Sequence, residues 1–443
     1  MLARGRGYRV SIEAPVGLAG SEQSFEGQAA MSSQVGFRDA LRRVIDEVIA
    51  PGAAAVDASG TFPRAAVDAL GAAGLLALTV PAEYGGGGGG PREAAEVVRE
   101  LGSACGSTAM IVTMHYSGVA ALVAGSDKDT LTEIAGGRHL TTLAFSETGS
   151  RSHFWAPMST AVAEPGGSAV RLDAAKSWVT SAGQADSYVW SSRPLSGGGL
   201  GGGLGDGLGG GGDAQGGGGA QGGGGAVGGT AGPMTLWLVP AGTPGLSVSG
   251  QFDGLGLRGN ASAPVAADGA VVPLSAMLGA DGGGLDLALT AVLPYFLICS
   301  AAMSAGLMRR LADETAAHLR LTQLAHLGVT LAQQAGPRAQ LARLRIEADR
   351  TWAHVCDCLT AVEAGRPDAT LLVLEVKAAA GEAAAEAADL ALRAGGGAAF
   401  RKESVVERLF RDSRAARVMA PTTEALYDFI GRALLGLPLL GEV

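Results

Sequence analysis

"AVRLDAAKSWVTSAGQADSYVWSS", residues 169–192, decides how the chain is organised. Val, Trp, Tyr and Thr are gathered in short runs cut by Gly and Asp, which is strand and turn chemistry. The same texture extends outward through TTLAFSE (141–147), STAVAE (159–164), TLWLVP (235–240), LSVSGQF (246–252) and GAVVPL (269–274). These runs predict a central β domain over 141–279.

Both flanks read as helix. In FRDALRRVIDEVIAPG (37–52), Phe37, Leu41, Val44, Ile45, Val48 and Ile49 recur at three- and four-residue steps, and Pro51-Gly52 closes the run. PREAAEVVRELG (91–102) and STAMIVTMHYSGVAALVAG (107–125) continue a helical domain over 34–140. From 280 to 443, long Ala/Leu/Arg/Glu segments predict a helical bundle. Residues 1–33 are polar and aperiodic and read as an unstructured extension. A tract over 197–232, almost wholly glycine, separates two strand-like runs. It has little to bury and a high entropic cost of ordering, so it reads as a disordered surface loop.

Composition narrows the functional classes. The chain has 443 residues, 47% hydrophobic and 17% charged, as in a packed globular protein. A net charge of −9 without a dense Lys/Arg block argues against nucleic acid. Four cysteines suggest neither a disulfide framework nor a metal site; Cys356 and Cys358, two apart on a helix, face different ways. The reading is a cytoplasmic protein with no metal. Residues 287–308, LALTAVLPYFLICSAAMSAGLM, carry no charge and match a membrane span in length. Pro294 and the run of Ala, Ser and Gly favour a buried core helix instead.

Three motifs could carry chemistry. AFSETGSRS (144–152) puts hydroxyls at a strand end, and AKSWVTSAG (175–183) sets Trp178 beside Thr180 on one strand face, fit to stack a planar ring and hydrogen-bond it. On spacing alone, a core Trp is the commoner reading. AGGGAAFRKE (394–403) implies close backbone approach to a ligand or a helix.

Together with VPAEYGG (80–86), GLGLRGNASAP (254–264), GGAAFRKESVVERLFRD (396–412) and the closing helix, these motifs resemble, in order, the acyl-CoA dehydrogenase family over residues 34–437. The resemblance implies an α+β multidomain fold: a helical N-terminal domain, a central β-barrel-like domain and a C-terminal four-helix bundle. It implies FAD between the β domain and the bundle, with Phe145, Ser146, Ser152, Trp178, Thr180 and Thr422 at positions that match the family's flavin contacts. Gly396 and Gly397 match its paired glycines, and Arg393, where the family has Gln, could bring positive charge near the cofactor pyrophosphate. An acyl-CoA substrate, an electron-transfer flavoprotein as redox partner and a dimer or tetramer follow from the same likeness.

One departure touches the chemistry directly. The family's Tyr-Glu-Gly-Thr aligns with Met419-Ala420-Pro421-Thr422, so the glutamate that removes the substrate α-proton falls on Ala420. The alternative position, near Phe296, lies in a stretch with no acid. Glu424, His115 and His153 are the candidate replacement bases. The expected function is α,β-desaturation of an acyl thioester. The alternative expectation is a flavin-dependent monooxygenase on the same fold, using reduced flavin and oxygen with a flavin reductase as partner and no α-proton base; the loss of both glutamates and the presence of His115 and His153 favour it. The Arg that reaches a neighbouring subunit's cofactor in the family is also replaced, by Leu324 in LAHLG (324–328).

Overall fold

The structure is a computed structural model that describes residues 36–150, 153–196 and 233–440. The expected N-terminal extension 1–33, Ser152 and the glycine tract 197–232 lie outside the described residues. The chain opens with α1 (36–59), whose middle is a π-turn, Ile45–Ile49, and which ends on Gly60 at φ 68°. A left-handed residue with no Cβ is the usual way to stop a helix. Next come α2 (Arg64–Ala72), α3 (Pro91–Ala104), α4 (Gly106–Ala124) and α5 (Lys128–Ala135). Pro91 starts α3 because its missing N–H would have no helical partner there.

Two four-stranded sheets follow. One has the order β1 (Thr141–Ala144), β4 (Ser187–Ser192), β5 (Thr235–Pro240), β8 (Met277–Leu278), with β1 parallel to β4. The other has the order β2 (Thr160–Ala163), β3 (Ala169–Val179), β7 (Ala263–Pro273), β6 (Leu246–Val248). β4 and β5 are buried along nearly their whole length, Trp190 facing Trp237 in register, so their runs are continuous rather than alternating.

The bundle is built on α6 (Leu293–Leu321), α7 (Ala335–Glu363) and α8 (Ala369–Ala399), between which lies a small hairpin of β9 (Gln323–Leu324) and β10 (Val329–Thr330). α9 (Val405–Ser413), α10 (Ala415–Val418) and α11 (Thr423–Leu434) close the chain over α8. The apolar stretch 287–308 read as a core helix is helical throughout and largely buried: it leaves a short helix (Gly284–Leu287), passes a π-turn (Ala288–Val292) and fills the first half of α6, Leu293 to Met308. α4 and α6 are both long and apolar enough to cross a membrane, and both are mostly buried within the fold. α6 crosses α3 where Gly102 faces Met303 and Gly306 faces the Arg99 carbonyl, and at each a Cβ would collide with backbone. The small residues of 287–308 thus set the approach of two helices.

Candidate active site

Two of the chemistry-bearing motifs, 144–152 and 175–183, meet segments of the bundle and of 254–262 around one cavity. β3 ends irregularly: its pairing with β7 slips between Lys176 and Val179, and Trp178 sits in the slip at φ 55°. A bulge of this kind re-aims a side chain, and the Trp178 ring is 69% exposed instead of packed inward. Trp178 and Thr180 do line one cavity, but not by strand alternation. Trp178 is turned out by the bulge, whereas Thr180 lies beyond the strand end, buried, with its hydroxyl 3.1 Å from Ser262 Oγ.

The loop after β1 runs alongside. Ser177 N–H donates to the Ser146 carbonyl at 2.9 Å and Thr148 N–H to the Ala175 carbonyl at 3.0 Å. A buried ion pair fixes it: Lys176 Nζ lies 2.5 Å from Glu147 Oε1 and also donates to Ser191 O and Oγ. Glu147 accepts in turn from Met158 N–H, Ser159 N–H and the Ser159 hydroxyl. Lys176 and these donors hold the Glu147 carboxyl below its usual range against the upward pull of burial. Burial brings the Lys176 amine down to about 8, which leaves it charged at neutral pH.

From the bundle side comes the segment 416–421. Lys377, on the buried face of α8, donates to the carbonyls of Ala416 (3.1 Å), Met419 (3.1 Å) and Pro421 (2.7 Å). Burial lowers its amine to about 7. Three carbonyls around one nitrogen match the three N–H groups of an ammonium. The third wall, 254–257, is held by Asp412, whose Oδ1 accepts from Leu257 N–H at 2.6 Å; burial pushes this carboxyl up to about 6.

Between these walls lies a cavity of about 530 Å³. Phe145, Ser146, Trp178, Thr180 and Ala420 line it together, as do Asn260 and Ser262. Its far end is apolar, with Met110 and Met114 of α4 facing Val292 and Phe296. Among the described residues its lining contains two arginines and no Asp, Glu, His, Lys, Cys or Tyr. Four of the five non-glycine residues at positive φ among those described, Trp178, Ser181, Leu257 and Ala261, sit on or beside this lining. Backbone strain of that sort gathers at functional sites.

The three candidate bases lie outside the lining. His115 is fully buried; its Nδ1 accepts from Thr141 N–H at 3.2 Å, so Nε2 carries the proton and donates to the Leu76 carbonyl at 3.0 Å. Burial lowers this ring to about 4, and both nitrogens serve the backbone. His153 packs edge-on against Trp155, and Glu424 is exposed in the first turn of α11. Thr422 caps the same helix, accepting from Ala425 N–H at 3.3 Å, also outside the lining. Arg393, Gly396 and Gly397 are exposed where α8 breaks at Gly396 (φ 53°, ψ −143°). A Cβ at Gly396 or Gly397 would meet nothing within 4 Å, so close helix packing does not explain these glycines.

Asn260, Ser262, Arg414 and Lys377 went unassigned in the sequence. Lys377 alone had a signal, a lone lysine in the apolar run LLVLEVKAAA. The others owe their place to loops whose path no local pattern encodes.

Two models of one family match the chain: the acyl-CoA dehydrogenase N-terminal domain over residues 32–129 and the acyl-CoA dehydrogenase C-terminal domain over 282–435. The chain belongs to the acyl-CoA dehydrogenase family. It is 26% identical over 403 residues to the "Probable acyl-CoA dehydrogenase YngJ" of Bacillus subtilis (strain 168), covering 90% of this chain and 97% of that one. Among solved structures, butyryl-CoA dehydrogenase from Megasphaera elsdenii superposes with a TM-score of 0.77 at 20% identity, over 91% of this chain and 98% of that one. The FAD complex of PigA superposes with a TM-score of 0.75 at 18% identity, over 92% and 98%. The cavity residues fit a flavin: an outward-facing indole for the ring, and Ser146, Thr180, Asn260 and Ser262 as hydrogen-bonding neighbours.

Proposed function

We propose that this protein is an FAD-dependent oxidoreductase that takes electrons from an acyl thioester by α,β-desaturation. The observation that carries the reading is a single cavity in which Ser146, Trp178 and Thr180 meet the Met419–Pro421 wall and an apolar end formed by α4 and α6. FAD, when bound, supplies the acceptor for the substrate's β-hydride. Trp178 offers the stacking face, Ser146 and Thr180 the hydrogen bonds, and Met110, Met114, Val292 and Phe296 the apolar seat for an acyl chain. Electron-transfer flavoprotein is the expected acceptor, and the expected working form is a cytoplasmic dimer or tetramer.

A second reading, flavin-dependent monooxygenation with a partner reductase, is favoured by one observation: among the described residues, no side chain of the lining can accept a proton near neutral pH. Without a positioned base, α-proton removal slows by about 10²–10⁴-fold. Anaerobic titration of the FAD-loaded protein with short, branched and long acyl-CoAs separates the two. Bleaching of the flavin absorbance supports desaturation. Absence of bleaching across the panel, with oxygen consumption once a flavin reductase is added, supports monooxygenation.

A further inference from the structure

The two arginines that line the cavity among the described residues are in different states. Arg411 uses every N–H it has: two bonds to Asp57, two to Glu407 and one to the Leu255 carbonyl. It ties α1 to α9 and the 254–257 wall, and has nothing left for a ligand. Arg414 lies one turn further on and is largely uncommitted. Its single side-chain hydrogen bond among the described residues runs from Nη2 to Asp389 Oδ1, 2.9 Å, a carboxylate that is itself 54% exposed. Its Nε is buried with no partner, and its guanidinium lies 3.9 Å from the centre of the Phe410 ring, which fixes its plane. A buried donor without an acceptor is costly, and a flat guanidinium held in place is suited to an oxyanion. Among the described residues the lining offers no carboxylate that could serve as that acceptor.

We propose that Arg414 is the anion-holding residue of the cavity and takes a phosphate or carboxylate oxyanion of a bound ligand. The inference rests on the flavin and acyl-thioester reading, and the oxyanion has two sources there: a phosphate of the cofactor or a carboxylate at the end of an acidic acyl chain. Asp389 then acts as a placeholder that orients the guanidinium and can be outcompeted by a better-placed anion.

The test measures binding, not turnover. Apoprotein is titrated with riboflavin, FMN and FAD by flavin fluorescence, and the FAD-loaded protein with pentanoyl-CoA and glutaryl-CoA by calorimetry. Each is done for the wild type and for Arg414→Gln, Arg414→Lys and Asp389→Asn. If the anion is the cofactor's, Arg414→Gln weakens FMN and FAD about tenfold or more while riboflavin stays within about twofold. If it is the substrate's, glutaryl-CoA alone weakens by that factor. In both cases Asp389→Asn leaves the affected ligand as tight as before or tighter, and Arg414→Lys recovers part of the loss. Equal weakening of every ligand by Arg414→Gln and Asp389→Asn assigns Arg414 a structural role and overturns the proposal, as does no change in any ligand. Failure of the wild type to bind even riboflavin overturns the flavin reading instead, and the two acyl-CoA titrations, run then on the apoprotein, still decide on Arg414.

Discussion

Ala420 is the residue on which the proposed chemistry turns. It lines the cavity, and the wall around it is kept in place by Lys377 and the three carbonyls that it binds; under the proposed alignment it stands where the family's glutamate would be. Ala420→Glu is therefore expected to place a carboxylate in the cavity without rebuilding it. Under the desaturase reading, the rate of anaerobic flavin bleaching by a good acyl-CoA rises by about 10²–10⁴-fold, measured by stopped flow. An unchanged rate means that a carboxylate at 420 does not reach the substrate, and the Met419–Pro421 wall loses its assigned role. At this scale the sequence was legible wherever a motif has a fixed partner. Phe145, Ser146, Trp178 and Thr180, from two separate motifs, line one cavity. His115 shows the opposite case. An imidazole on an apolar helix has two nitrogens to satisfy, and here two backbone groups 26 and 39 residues away satisfy them. Distant partners of that kind leave no trace in the residues beside it.

Among the elements, β3 and the loop that follows β1 act as one unit because Glu147 and Lys176 are joined inside the protein, both nearly inaccessible to water. Removing one member of a buried pair leaves an uncompensated charge, which costs about 3–5 kcal/mol. Lys176→Met is expected to lower unfolding stability by that amount in urea, and Glu147→Gln with Lys176→Met to recover part of it; a double variant as unstable as the sum of the singles rules the coupling out. The same pair sets an acid limit. The folded pKa of Glu147 lies below the ordinary 4.5, so its contribution is fully present above that value and fades as the pH falls below it. Flavin release, followed by fluorescence, should then precede the loss of helical circular dichroism in acid. Simultaneous loss of both signals would mean that the loop has no stability of its own to lose. β3 is also where periodicity misleads. Alternation put Trp178 and Thr180 on one strand face, whereas the bulge and the left-handed turn at Trp178 bring both to the cavity by another route. A bulge is set by cross-strand register with β7, and β7 lies about ninety residues downstream.

In the whole molecule, the order of helical domain, paired sheets and bundle could be read directly, because the period of apolar residues changes at each junction and glycine or proline marks most of the stops. The packing of the three parts around one cavity could not, since it depends on walls 145–150, 254–257 and 419–421 that belong to no periodic element. The connection between β4 and β5 gives a test at this scale. Ser192 and Thr235 are register partners on adjacent antiparallel strands, so their ends already lie side by side. Deleting residues 197–232 and joining the ends is expected to leave the melting temperature and bound flavin unchanged; a collapse in either, measured by calorimetry and absorbance, sinks that expectation. The left-handed residues around the cavity have a practical consequence. Glycine at Trp178 or Ser181 relieves backbone strain of roughly 1–2 kcal/mol, and the Trp178 ring is mostly outside the core. A laboratory campaign that selects variants for heat resistance alone would drift toward those changes, and the hardiest survivors would be the ones that had lost their grip on the ligand.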